Sequence, residues 1–174
     1  ISRAKISVEF PAGFMLIASM NPCPCGYLND KEHECRCTPQ QIQHYLNKIS
    51  GPILDRIDMQ INVLRINPQQ INAEKQQQES SVDIQARVIK ARARQYQRQG
   101  KVNAQLNAKQ IKQHCQLNHK AQKQLDTACE KFKLSLRSYM RIIKVAQTIA
   151  DIKQMEKIEE THILRALAYR IHDS

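Results

Sequence analysis

The sequence predicts two kinds of structure in succession, an α/β segment and then an all-helical domain. The apolar run at residues 14–20 has the length and flanks of a strand that is buried on both faces of a sheet. After Ser80, apolar residues recur at helical spacing and the strand pattern disappears. A polar, Gln-rich stretch separates the two regions, and we expect a linker there at residues 68–81. Residues 1–67 would then be the α/β part and residues 82–174 the helical domain.

Three further strands are expected in the α/β part. Residues 1–4 and 6–10 predict two short strands around Lys5, because residues 6–10 alternate apolar and polar side chains. Residues 58–66 predict another strand, with its apolar members at alternating and adjacent positions.

One helix is expected between these strands. Thr38 can cap its N-terminus, Pro39 suits the first helical position, and Gln41 completes a capping box. The sequence Ser-Gly-Pro at residues 50–52 is expected to end this helix.

Five helices are expected in the second part of the chain. The first ends at Gly100, a residue type that favours the left-handed conformation found just after helices. The fourth has a broad apolar face and should be central to the core. Their predicted first or capping residues are Ser80, Asn107, Asn118, Ser135 and Glu159.

The chain is strongly basic, with 27 Lys and Arg against 16 Asp and Glu and a formal net charge of +11. Such a balance favours a polyanionic partner such as nucleic acid, although an acidic protein subunit would also fit. The first helix of the second part carries cations at three- and four-residue steps, which we call the basic stripe. It is either a phosphate-backbone contact or an ordinary solvated face. Its members are Arg87, Lys90, Arg94 and Arg98, and then Lys101 just after Gly100.

Membrane and secretory classes are not favoured. No apolar stretch approaches the about 20 residues that a membrane-spanning helix needs. The first residues contain no apolar region of a signal peptide. Six cysteines without a secretory signal indicate a reducing compartment, so a cytoplasmic location is expected. Because the chain does not begin with Met, we expect it to be a piece of a longer protein.

Four clustered cysteines predict a structural zinc site. They form two C-x-C pairs that are separated by nine residues, and two close thiolate pairs can surround Zn²⁺ tetrahedrally. His33 could replace one ligand, and reduced thiols in a solvated loop are the alternative. Cys115 and Cys129 lie at helical positions and are expected to be small core residues. The clustered residues are Cys23, Cys25, Cys35 and Cys37.

A nucleotide-binding loop is missing from the sequence. None of the four glycines lies in a G-x-x-x-x-G-K-[ST] frame, and no apolar run ends in an acidic pair that could hold Mg²⁺. The chain is therefore not expected to bind nucleotide well by itself.

Several stretches resemble the magnesium-chelatase-like AAA+ ATPases. They are Ile-Ser-Arg-Ala at 1–4, Phe-Pro-Ala-Gly-Phe at 10–14, Ala-Ser-Met-Asn-Pro-Cys-Pro-Cys-Gly at 18–26 and Ser-Gly-Pro-Ile-Leu-Asp-Arg-Ile-Asp at 50–58. Residues 136–151 and 162–170 resemble helices of the same family's lid. The resemblance implies the C-terminal half of a AAA+ α/β core followed by a helical lid. It also implies ATP and Mg²⁺ as cofactors, with both Walker motifs upstream of Ile1.

The resemblance assigns roles to four polar residues. Asn21 resembles sensor 1, which orients the water that attacks the γ-phosphate; the alternative is an Asn that caps a turn. Arg56 resembles the arginine finger, which acts on a neighbouring subunit's ATP; the alternative is an ion pair with Asp55 or Asp58. Arg137 resembles sensor 2, and Arg141, one turn later, is the competing choice.

Two functions follow from the resemblance. The first is an ATP-driven homo-oligomeric ring that works on DNA, for example in branch migration. The second is an ATP-dependent subunit that inserts metal into a tetrapyrrole. A zinc-stabilised interaction module is a third alternative that does not need ATP.

Overall fold

The structure is a computed structural model, and it describes residues 2–3, 6–9, 13–63 and 79–170 of the chain. It forms two compact units, Ile1–Ile49 and Ser50–Ser174, each with its own contacts. Residues 50–63 thus group with the helices that follow. Most of the predicted linker lies outside the described residues, so that boundary stays a prediction.

The first unit begins with the predicted pair of short strands. Strand β1, Ser2–Arg3, pairs antiparallel with β2, Ile6–Ser7. Helix α1, Pro39–Leu46, follows the cysteine-rich loop. The Thr38 side chain accepts from the Gln41 N–H, and the Gln41 side chain accepts from the Thr38 N–H. The predicted capping box is therefore confirmed.

The buried strand predicted at residues 14–20 is wrong for this structure. These residues have no strand conformation, and their side chains are exposed, with Met15 at 83% and Ile17 at 82%. A buried strand needs neighbouring strands to pair its N–H and C=O groups, and no strand among the described residues lies beside this run. Residues 58–63 are likewise not a strand, and residues 64–66 lie outside the described part. The α/β core is thus not seen in the described residues.

A short helix replaces the predicted helix end at residues 50–52. Helix α1 ends at Leu46, and helix α2, Gly51–Leu54, begins at Ser50 as its N-cap. Pro52 lies in the first turn, where the missing N–H removes no hydrogen bond. The sequence pattern that indicated a stop therefore starts a new turn that leads into residues 54–58.

The helices of the second unit agree with the prediction. Ser80, Asn107, Asn118, Ser135 and Glu159 are the observed N-caps. Gly100 ends the first of them with a φ of 71°, in the left-handed region that suits glycine. The α-helices are α3 Ser81–Gln99, α4 Ala108–His114, α5 His119–Phe132, α6 Leu136–Ile152 and α7 Glu160–Ala168, with a 3₁₀ turn at Asn103–Gln105.

Helix α6 is central to the second unit. It packs against α3, α4 and α7, and α5 also packs against α7. Ile142 of α6, Leu125 of α5 and Ile163 of α7 are all fully or almost fully buried. Cys115 and Cys129 join this core as predicted, and burial raises the pKa of Cys115 to about 11. No helix among the described residues is both long and apolar enough to cross a membrane.

A buried polar network fixes α3 to α6. Asp151 is fully buried and accepts from both terminal nitrogens of Arg98, at 2.6 and 3.0 Å. Asn103 Nδ2 donates to the same carboxylate at 2.9 Å, and the Gln95 side chain accepts from the Asn103 N–H at 3.0 Å. Because each carboxylate oxygen is paired, the negative charge of Asp151 can remain inside the unit.

Buried His162 makes the stability of the second unit depend on pH. Its Nδ1 accepts from the Glu159 N–H at 3.0 Å, and its Nε2 has no partner among the described residues. Burial lowers the pKa of His162 below the usual 6.5, so the unfolded state takes up a proton first as pH falls. Stability is then fully present above about pH 6.5 and decreases below it, by at most about 1.4 kcal/mol per pH unit.

Urea unfolding at pH 7 and pH 5 measures this dependence. His162→Gln keeps an acceptor at the third helical position and does not titrate, so we expect it to reduce the loss at pH 5. His119→Gln changes an exposed histidine and should leave the loss unchanged. Equal pH dependence in all three proteins would contradict the role of His162.

Candidate functional site

Residues 55–58 are held by two arginines that are distant in sequence. Arg170, just after α7, donates from Nη2 to the Asp55 carbonyl at 3.1 Å and from Nη1 to the Ile57 carbonyl at 3.0 Å. Arg141 of α6 donates to the Arg56 carbonyl between them. Three consecutive carbonyls are thus bonded to guanidinium groups, which fixes the path of the backbone at Arg56.

The two aspartates beside Arg56 are also paired. Asp55 accepts from Ser138 Oγ at 2.6 Å and from Arg170 Nη2 at 2.8 Å. The Ser138 hydrogen bond, and then the charge of Arg170, lower the pKa of Asp55 below its usual value. Asp58 accepts from Arg141 Nη1 at 2.8 Å.

Arg56 itself has no carboxylate partner among the described residues. Its side chain is exposed, and its Nη1 donates to the Pro52 carbonyl at 2.8 Å. The alternative interpretation, an ion pair with Asp55 or Asp58, is not found, because both carboxylates are bonded to other arginines. A positive guanidinium is therefore presented to solvent with most of its donors available.

Arg137 and Arg141 lie one turn apart near the start of α6, in different surroundings. Arg141 is bonded to residues 56 and 58. Arg137 is exposed and makes no hydrogen bond or ion pair with the described residues. Of the two, Arg137 has the donors available for an anion, and the N-terminus of α6 favours negative charge nearby.

Asn21 belongs to the first unit, whereas Arg56, Arg137 and Arg141 belong to the second. Asn21 is exposed and makes no side-chain hydrogen bond with the described residues. An asparagine that caps a turn needs such a bond, so the turn interpretation is not supported.

The four clustered cysteines do come together. Cys23 Sγ lies 3.4 Å from Cys25 Sγ and 3.7 Å from Cys35 Sγ, and the Cys25–Cys35 distance is 3.5 Å. With Cys37, all four sulfurs lie within 4.8 Å of one another. A regular tetrahedron of thiolates around Zn²⁺, with bonds of about 2.3 Å, has edges of about 3.8 Å. The donor set therefore fits a tetrahedral metal ion.

Local turns bring the cysteines together. Gly26 has a φ of 83°, and its N–H donates to the Cys23 carbonyl at 3.0 Å. Asp30 accepts from the Glu32 and His33 N–H groups at 2.8 and 2.9 Å. The His33 ring stacks on Tyr27 at 4.9 Å between centroids, and His33 is outside the four-residue group.

The four thiols differ in pKa because their sulfurs lie close together and make different hydrogen bonds. The Tyr27 backbone N–H contributes most to lowering the pKa of Cys25, to about 6. Burial, together with neighbouring sulfurs, raises the pKa of Cys37 to about 12. Crowded thiolates repel one another, and a cation at their centre would remove that repulsion.

The basic stripe is not uniform. Arg98 is bonded to Asp151 and Asn103. Arg87 is paired with Glu79, and Lys101 Nζ donates to Gln110 at 3.2 Å. Lys90 is exposed, and Arg94 is half-buried with its Nε unpaired among the described residues. One of the five cations is thus a structural residue of the second unit.

Sequence patterns did not indicate several of these contacts. For Asp151 a signal was present but was not used: it lies between Ala150 and Ile152 on an apolar helix, where an acid is expected to be buried and paired. Nothing in the sequence indicates that Arg170 meets Asp55, 115 positions earlier. Ser138 is identified by its contacts with Asp55 and Arg170, which no sequence pattern indicates.

Two protein-family models match the chain. "Magnesium chelatase, subunit ChlI" matches residues 1–71, and "Magnesium chelatase, subunit ChlI C-terminal" matches residues 78–170. The chain belongs to the magnesium chelatase ChlI family. The first match ends at residue 71 and the second begins at residue 78, both within the stretch predicted as a linker.

Relatives match almost the whole chain. Competence protein ComM of Haemophilus influenzae is 42% identical over 98% of the chain. The uncharacterized protein YifB is 39% identical over 99% of the chain in both Salmonella typhimurium and Escherichia coli. The chain spans about a third of the length of these relatives, namely 33% or 34%.

Proposed function

We propose that the chain is the C-terminal part of a AAA+ ATPase of the ComM type, and that Arg56 completes the ATP site of a neighbouring subunit. The observation that carries the proposal is the exposed guanidinium of Arg56, which has no carboxylate partner among the described residues and lies on a segment that other arginines hold. A guanidinium stays charged and can donate to two phosphate oxygens at once, so it can stabilise the charge of phosphoryl transfer.

Two further residues act on the nucleotide in this proposal. Asn21 orients the attacking water as sensor 1, and Arg137 contacts the γ-phosphate as sensor 2. Both side chains are exposed and have no hydrogen-bond partner within the described part of the chain, which supports these roles. ATP and Mg²⁺ would be held by Walker motifs outside these 174 residues. Since Arg56 acts between subunits, the working form is a homo-oligomeric ring.

The proposed work of the ring is on DNA, such as branch migration during natural transformation. The net charge of +11 supports a polyanionic partner, and the word "competence" in the name of the Haemophilus influenzae relative supports DNA. Arg87, Lys90, Arg94 and Lys101 would contact phosphates without reading sequence. We leave Arg98 out because its donors are bonded to buried Asp151 and to Asn103. Arg87 is kept because its partner, Glu79, is exposed, and a solvent-exposed ion pair is weak enough to be replaced by a phosphate contact.

DNA binding across a salt series tests this part of the proposal. Arg87→Gln with Lys90→Gln should weaken binding and reduce the slope of log affinity against log salt by about 0.9 for each phosphate that is no longer neutralised. Lys120→Gln with Lys123→Gln removes the same charge from α5 and should change the slope less.

An absence of DNA binding by the full-length protein at low salt would contradict the DNA motor. It would favour the second candidate, a metal-chelatase motor subunit, which the description of the matched family supports.

We also propose that the four clustered cysteines bind a structural zinc ion. Four protein sulfurs close the coordination sphere, so the site would brace the loop and take no part in hydrolysis. The tetrahedral spacing of the sulfurs supports this assignment.

Metal analysis checks the zinc site directly. After reducing, chelator-free purification, we expect about one zinc ion per chain, with Cys25→Ser lowering the zinc content severalfold. Cys129→Ser is the matched control, because Cys129 packs against the helical core. Purified protein without zinc would contradict the assignment, as would equal loss in both variants.

A further inference from the structure

We propose that Arg170 is a positioning residue for the arginine finger, acting with Ser138 through Asp55. This inference rests on the proposed function of Arg56. Arg170 lies after the last helix, and in this proposal it touches neither the nucleotide nor the Arg56 side chain.

The contacts of Arg170 surround Arg56 on both sides. Its two terminal nitrogens bond the carbonyls of Asp55 and Ile57, at 3.1 and 3.0 Å, and so bracket Arg56 along the backbone. Nη2 also donates to Asp55 Oδ1 at 2.8 Å. The Arg170 side chain is only 7% exposed, so this geometry is held by its surroundings.

Ser138 links the same cluster to α6. Its Oγ donates to Asp55 Oδ1 at 2.6 Å and accepts from Arg170 Nη2 at 3.0 Å. Ser138 directly follows Arg137, the proposed sensor 2. A movement of α6 that follows the nucleotide at Arg137 would therefore be transmitted to the backbone at Arg56.

The effect of Arg170 on the ATPase rate would follow from how it positions the backbone at Arg56. Arg170 bonds backbone and carboxylate oxygens next to Arg56, while the Arg56 guanidinium is exposed and donates to the Pro52 carbonyl. Without the hydrogen bonds from Arg170 to the carbonyls of Asp55 and Ile57, Arg56 would be present but misplaced. Misplacement by about 1 Å can cost about 100-fold in rate, so Arg170 is expected to matter for hydrolysis on the neighbouring subunit.

Mixed rings of the full-length protein test the proposal. One kind of subunit carries Arg56→Ala and an intact ATP site. The other keeps Arg56 but carries a Walker B substitution that stops hydrolysis. The mixture should regain ATPase activity, because the second kind supplies Arg56 to the first.

Arg170→Gln is then placed in one kind of subunit at a time. In the subunit that supplies Arg56, it should lower the regained activity about tenfold or more. In the subunit that carries the intact ATP site, it should change the activity less than about twofold. Ser138→Ala should show the same asymmetry with a smaller effect. Arg165→Gln, on the exposed side of α7, should have no effect in either place.

The outcomes distinguish the role of Arg170 from the role of Arg56. Equal loss in both places would make Arg170 a folding residue and overturn the inference, and no loss in either place would also overturn it. If the mixture without Arg170→Gln regains no activity, the proposed role of Arg56 fails, and the inference that rests on it fails too. Should Arg170→Gln misfold, the asymmetry of Ser138→Ala decides.

Discussion

Replacing Arg56 with Ala in the full-length protein is expected to lower the ATPase rate by about 1,000-fold or more, the usual contribution of an arginine finger. The reason is the loss of an exposed positive charge, which Arg141 and Arg170 do not replace because they are bonded to the aspartates beside it. Arg56→Lys should recover little, because an ammonium group does not offer the planar pair of donors. Steady-state ATPase assays measure the effect.

Nucleotide binding is the control for this substitution. A group that acts on the neighbour's transition state should change kcat far more than ATP affinity. Arg165→Ala removes an exposed arginine from the same unit and should leave the rate unchanged. A normal rate for Arg56→Ala would show that the assignment is wrong.

Replacing Asp151 with Ala is expected to destabilise the second unit by about 3 kcal/mol or more. Asp151 is fully buried and is bonded to Arg98 and Asn103. Its removal leaves the Arg98 guanidinium, which is 21% exposed, without its carboxylate. Urea unfolding followed by circular dichroism measures the change.

Two comparison variants show whether the buried pair is the cause. Asp126→Ala removes an exposed aspartate and should cost less than about 0.5 kcal/mol. Arg98→Met combined with Asp151→Leu removes both charges and should recover part of the loss, because no unpaired charge remains. A cost below about 1 kcal/mol for Asp151→Ala would contradict the structural role of the pair.

Helix ends of the second unit could be predicted from the sequence because capping is a local interaction. Ser80, Asn107 and Asn118 each accept from a backbone N–H three residues later. Gly100 takes the left-handed conformation that its residue type allows. None of these interactions depends on how distant parts of the chain pack.

The prediction of a strand at residues 14–20 was wrong because a strand forms only when neighbouring strands pair with it. The apolar run is typical of a strand inside a sheet, but the sequence of the run alone contains no information about whether such neighbours are present. Phe14 is 74% exposed in the structure.

The candidate site was predictable in part. The metal-binding chemistry of the four cysteines follows from residue type and spacing, and the role expected of Arg56 follows from the family resemblance of residues 50–58. The contacts of Arg170 and Ser138 with Asp55 join positions 115 and 83 residues apart, which no sequence pattern indicates. For Arg98 the spacing was misleading. Its regular spacing placed it in the basic stripe, but its partner in the structure is Asp151, a buried aspartate that is distant in sequence.

The central claim is that Arg56 acts across a subunit boundary. Its most direct test is the ATPase rate of full-length Arg56→Ala subunits mixed with subunits that cannot hydrolyse ATP but retain Arg56. Each kind alone should be nearly inactive, and the mixture should hydrolyse ATP at a substantial fraction of the wild-type rate. A mixture no more active than its separate components would contradict the claim.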